Sequence, residues 1–220
     1  MPEQKDKLFS SLMIILILVV LAFLVYNFVW DINIFKTKNN ETVIQSKTEG
    51  YLLSSLPNDP VKGEGLSTIA IYLFTDYEAN QMNEIMKIVN DLIKKYPNDV
   101  HLVWKDLPVS KHYFSRGAAL AARCSLDDQK YWEYNEKLLN RKKSLSLELY
   151  QEIASDLGMD SVSFLACYKS GKYLSDIDNN IREAYVLDVD DVPSIFLNQE
   201  QLKGEISFEK LDKMVSNLVK

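Results

Sequence analysis

The chain holds two cysteines, Cys124 and Cys167, and two histidines, His101 and His112, so few of its side chains could do metal or nucleophile chemistry. A zinc site needs about four such ligands at short spacing, and a catalytic triad needs a base beside its nucleophile. His101 falls in a strand pattern and His112 in a loop, which reads as two ordinary, surface or half-buried histidines. Glycines stand at 50, 63, 65, 117, 158, 171 and 204, so neither a GxGxxG dinucleotide loop nor a GxxxxGK[ST] phosphate loop can be written. No cofactor is expected. Asp188, Asp190 and Asp191 lack the glycine and terminal Glu of a calcium loop and read as a solvated turn. With 31 acids against 25 bases, a net charge of −6 argues against a nucleic-acid surface.

Sulfur is what remains. Cys124 and Cys167 end the phrases AALAARC and SFLAC, with 42 residues between them. A disulfide pinning two helices is the reading taken; two free buried thiols or a redox-active pair are the alternatives. A bridge closing that loop stabilises a fold by roughly 4 kcal/mol at most in the chain-entropy picture. Cysteines so far apart lack the activation that a CxxC at a helix start provides.

The elements that must position these residues follow from periodicity. Thr68 to Thr75 (TIAIYLFT) is a short β-rich run that reads as a buried strand. Met82, Ile85, Met86, Val89, Leu92 and Ile93 then recur at helical spacing up to Pro97 and Asn98. Val100 to Asp106 alternates as a second strand, completing a βαβ unit with a parallel pair. Ser115–Cys124, Gln129–Leu139, Ser146–Leu157 and Asp160–Tyr168 read as four amphipathic helices, followed by another near Tyr173–Tyr185. A strand opened by Pro193 comes next, then a partner strand at Gln201–Glu205 and a terminal helix at Phe208–Val219. Tyr131, Trp132 and Tyr134 at helical spacing read as core.

Ahead of this domain, Leu8 to Trp30 runs 23 residues without a charge. At about 1.5 Å per residue it spans a hydrocarbon core of roughly 30 Å. Tyr26, Phe28 and Trp30 suit an aromatic belt, and no A-x-A-like cleavage site closes the run. The expected organisation is a cytoplasmic stretch 1–7, a transmembrane anchor 8–30, a tether 31–66 and a domain 67–220. Lys5 and Lys7 nearly balance Lys36 and Lys38, so the positive-inside rule leaves orientation undecided. A disulfide would place the domain outside the cytosol. Asn40-Glu41-Thr42 has the form of a glycosylation sequon.

The order of elements, with several local phrases, resembles the DsbA-like branch of the thiol-disulfide oxidoreductases. The phrases are Phe74-Thr75-Asp76-Tyr77-Glu78, Trp104-Lys105-Asp106-Leu107-Pro108, Ala118 to Cys124, Lys130 to Tyr134, Phe164 to Cys167 with Ser170-Gly171-Lys172-Tyr173, and Val192-Pro193-Ser194. The resemblance implies an α/β thioredoxin fold with an inserted helical subdomain, about 112–185, and a cis peptide bond before Pro193. It also implies a Cys-x-x-Cys pair directly after the acidic phrase. Here that place reads Ala79-Asn80-Gln81-Met82. Disulfide exchange needs an activated thiolate and a second thiol to resolve the mixed disulfide; Ala79 has no nucleophile, and the Met82 thioether has no proton to lose.

The function expected is therefore a membrane-anchored module, N-terminus inside and domain outside, that binds or assembles extracytoplasmic polypeptides. The site would be a shallow apolar groove at Ala79, Met82, Val192 and Pro193, where an extended chain could pair with open backbone groups. An oxidoreductase working through Cys124 and Cys167, or a structural subunit of a membrane complex, are the competing expectations.

Overall fold

A computed structural model of the chain describes residues 51–64 and 67–219. The expected anchor, the residues before it and most of the tether lie outside the described residues. Among the described residues no helix is long and apolar enough to cross a membrane.

Strands β1 (Val61–Gly63), β2 (Ile69–Thr75), β3 (Val100–Asp106), β4 (Ser194–Leu197) and β5 (Glu200–Gln201) form one sheet in the order β1-β3-β2-β4-β5. Helix α1 (Met82–Lys95) connects β2 to β3, which pair in parallel from Ile69↔Val100 to Thr75↔Asp106. The expected βαβ unit is present. β4 runs antiparallel to β2, with Phe74↔Ser194 as its outermost pair. Between β3 and β4 the chain inserts α2 (Ser115–Cys124), α3 (Tyr131–Asn140), a 3₁₀ turn (Lys142–Ser144), α4 (Leu147–Asp156), α5 (Ser161–Ser170) and α6 (Leu174–Val186). Helix α7 (Phe208–Leu218) closes the chain.

Strand periodicity sorts the core into two layers, because successive side chains leave a strand on opposite faces. Ile69, Ile71 and Leu73 join Leu102, Trp104, Leu197, the apolar side of α1 and the inserted helices in the larger cluster. Ala70, Tyr72 and Phe74 join Val103, Phe196, Ala184 and Leu53 in the smaller one. Both faces are covered, so every residue of β2 and β3 is buried, including the three polar positions of VHLVWKD. The alternation in β3 therefore does not mark an outward polar face.

Side-chain caps start three helices: Ser146 accepts from Leu149 N, Asp160 from Ser163 N and Ser207 from Lys210 N. Gly171 ends α5 in the left-handed conformation at φ 67°.

The segment expected to be tether departs from the sequence reading. The compact unit begins at Tyr51. Leu53 is 2% exposed, its N–H and C=O bonded to the Gln199 side chain. Val61–Gly63 adds an antiparallel edge strand to β3. Gly63, at φ 95°, lets that edge approach, since a Cβ there would meet Val100 O at 3.0 Å. Three residues broken by glycine carry almost no strand signal of their own.

Candidate functional site

The corner where β2 ends and α1 begins is held by polar side chains from the loops around it. Asp76 Oδ1 accepts from Glu78 N at 2.9 Å, folding the turn on itself. Asp76 Oδ2 accepts from Val109 N at 3.3 Å and lies 2.5 Å from His112 Nδ1. Glu78 reaches the other way: its Oε2 accepts from Phe114 N at 2.8 Å and Ser115 Oγ at 3.2 Å. Helix α2 has no cap from its own Phe114, so this carboxylate takes over, with its charge at the positive end of the helix. Lys142, from the 3₁₀ turn of the insertion, donates to Ala79 O at 2.9 Å.

Helix α1 begins differently from the side-chain-capped helices. Its N-cap, Gln81, sits in the left-handed region at φ 64° and supplies no side-chain cap. For a non-glycine residue that conformation is uncommon and costs energy, of order 1–3 kcal/mol. Ala79 and Met82 lie on either side of it, and their exposures are 3% and 2%. Met82 Sδ accepts from Thr75 Oγ1 at 2.7 Å. Both side chains face the larger core, so neither presents a surface to a partner, and the groove expected here cannot be lined by them.

The Val192–Pro193 bond is cis. Because Phe74 pairs with Ser194, the sheet register brings Pro193 to the end of β2 that leads into Thr75 and the turn. Val192 packs against both core clusters. Topology thus assembles at one corner the four residues singled out from the sequence: Ala79, Met82, Val192 and Pro193. No thiol is among them.

The two cysteines form a disulfide, Cys124–Cys167, with Cα atoms 5.9 Å apart. It joins the end of α2 to α5 inside the larger core, where the two residues are 1% and 7% exposed. The expected pinning of two helices is what the structure has. Among the described residues no group of His, Cys, Asp and Glu is placed to hold a metal ion. His101 is buried in β3 with Nδ1 2.7 Å from Ser67 Oγ, and His112 serves the Asp76 turn. Tyr131 and Tyr134 are core, while Trp132 is partly buried.

Sequence reasoning missed a buried charge network at the end of β3. Lys105 Nζ lies 2.6 Å from Asp59 and 2.5 Å from Glu183, and donates to Ser54 O. Arg123 Nε donates to Asp106 at 2.5 Å, and its other nitrogens to Asn58 O, Asn180 Oδ1 and Asp59. Trp104 Nε1 also donates to Asp106, and Asn180 Nδ2 to Asp59. Burial pushes the Asp106 carboxyl up, with Arg123 opposing. Burial disfavours the Arg123 charge, yet Asp106 and the other neighbours more than offset this and hold it above its ordinary value. Tyr51, donating to Glu183, is pushed up to about 12 by burial and then by that carboxylate. The available signal was Arg123 itself, a lone charge among the small residues of AALAARC.

This architecture, a central sheet of parallel and antiparallel pairs with a helical insertion and a cis proline at the site corner, is a thioredoxin-like α/β fold. A family model described as Thioredoxin matches residues 55–217, and the chain belongs to that family. Among solved structures, a thioredoxin-like oxidoreductase from Silicibacter pomeroyi DSS-3 superposes with a TM-score of 0.64 at 23% identity, covering 74% of this chain and 93% of that one. The thiol-disulfide exchange protein alpha-DsbA2 from Wolbachia pipientis gives 0.66 at 23% identity, covering 74% and 88%. Among curated proteins, a Na(+)/H(+) antiporter NhaA 1 from Mycobacterium sp. (strain KMS) is 22% identical over 149 residues, 66% of this chain. The match spans only 24% of that relative's length.

Proposed function

We propose that this chain is a membrane-anchored, extracytoplasmic member of its family that binds or helps assemble polypeptides without exchanging disulfides. The observation that carries the reading is the Ala79-Asn80-Gln81-Met82 turn: the corner next to the cis proline holds no sulfur with a proton to lose. Exchange requires a thiolate that attacks and a second thiol that resolves. The anchor rests on the uncharged run 8–30, whose length suits a bilayer. The extracytoplasmic placement draws support from the Cys124–Cys167 bridge, since lasting disulfides belong to oxidising compartments.

The test uses the full chain in membranes with a disulfide-linked reporter peptide. The native chain is expected neither to oxidise nor to reduce it. Turnover by the native chain, with Cys124 and Cys167 cycling between labelled and unlabelled states, would establish the oxidoreductase alternative and defeat the proposal. Protease added outside intact cells should remove the domain; protection would reverse the orientation.

A further inference from the structure

Helices α1 and α3 lie side by side with a trough between them that starts in the first turn of α1 and runs from there away from the turn at Ala79. Asn83 in the first turn of α1 donates to Asn140 at the end of α3, at 3.4 Å. At the opposite end stand Lys94 of α1 and Trp132 of α3, with Lys62 Nζ 5.2 Å above the indole. The cleft measures about 320 Å³. From Asn83 to Lys94 the helix rises about 16 Å, which is the length of about five extended residues.

The lining has a pattern. Met86 and Leu139, both nearly buried, form its floor, the partly buried Trp132 lines one end, and asparagines from both helices contribute amides. A primary amide carries the donor and acceptor of a peptide bond; Asn135 is buried with its amide on Tyr77, so the groups that can meet an extended backbone are Asn90 and the ends of the Asn83–Asn140 pair. One is unsatisfied within the domain: Asn90 Oδ1 is buried and has no hydrogen-bond donor among the described residues. Such an atom is costly to leave alone, and rotation of the amide offers it to a chain in the trough. The charges are uneven. Lys87 is paired with Asp91 at 3.1 Å, while Lys62 and Lys94 have no ion-pair partner among the described residues. Burial holds the Lys62 amine below its ordinary value, against the pull of Glu136 and Glu133.

Resting on the polypeptide-binding reading above, we propose that the trough between α1 and α3 is the seat of the bound polypeptide: an extended segment with apolar side chains at its centre and acidic residues at the Lys62–Lys94 end. The Ala79 corner, whose side chains are turned into the core, is then not where the chain docks.

Photo-crosslinking with the full chain in detergent distinguishes the two places. A benzoylphenylalanine replaces Asn83 in one variant and Asp191, beside the cis proline, in another; both residues are exposed in the folded domain. The probe is reduced, carboxymethylated α-lactalbumin, an acidic polypeptide that cannot refold. Adducts from position 83 and few from 191 are the expected result. Adducts from 191 equal to or exceeding those from 83 overturn the trough while leaving the polypeptide-binding reading intact. Adducts from neither overturn both. Lys62→Glu with Lys94→Glu should weaken binding of the probe about tenfold; an unchanged affinity refutes the acidic end of the assignment.

Discussion

The turn at Ala79 and the charge network at the end of β3 stand on the same sheet and are built in opposite ways. At the turn, Asp76 and Glu78 tie loops to loops, and Ala79 and Met82 are buried in the core. In the network, Lys105, Arg123, Asp59, Asp106 and Glu183 sit together with side chains at most 2% exposed. The turn reads Ala79-Asn80-Gln81-Met82, with no thiol among its side chains. The network is where a single change leaves a buried charge without its counter-charge. The residues that tie the loops at the turn and those that seal the end of β3 are different sets, so each can be changed without touching the other.

Substitutions can sharpen that contrast. The largest effect is expected from Arg123→Leu, which strands Asp106 and weakens the hold on Asp59; breaking a buried pair costs about 3–5 kcal/mol, read as a lower urea midpoint. A replacement costing under 1 kcal/mol would show that the network is not the keystone. Cys124→Ala with Cys167→Ala should cost about 2–4 kcal/mol, and the same loss should follow reduction of the native protein. Next comes Glu78→Ala, which uncaps α2 and should cost about 1 kcal/mol; hydrogen exchange should quicken at the Phe114 amide first.

The smallest effect concerns pH. Burial holds the His101 ring below the ordinary value of 6.5, so the unfolded chain takes up its proton at higher pH than the folded one. The contribution of neutral His101 is complete above about pH 6.5 and declines as pH falls from there toward the folded value. His101→Gln should flatten this part of the curve when thermal unfolding is followed between pH 7.5 and 5, at values chosen to bracket the window.

Much of the fold was legible because local signals agreed with it. Val100–Asp106 follows Pro97 and Asn98 and forms the strand expected over those residues; Ser115–Cys124 likewise forms the helix expected there. The cis proline came from the resemblance and is present. The missing parts share one cause: they depend on partners far away along the chain. Strand β1 exists because β3 offers it an edge. Lys105 reads as an outward lysine in an alternating strand, and only folding brings Asp59 to it. Asn180 and Asp59 are 121 residues apart and bonded at 2.8 Å. The trough was hidden for a similar reason, since the polar face of α1 looks like any solvated helix face until α3 lies against it.

The stretch from Tyr51 to Asp59 has a practical bearing on how this protein is cut. A fragment begun at residue 67, where the first long strand invites the scissors, would discard Leu53, the Ser54 carbonyl and the Asp59 carboxylate together. Lys105 would keep Glu183 and Arg123 would keep Asp106, but an opening to water would be left where those residues had sealed the sheet. A fragment that retains residue 51 carries its own stopper.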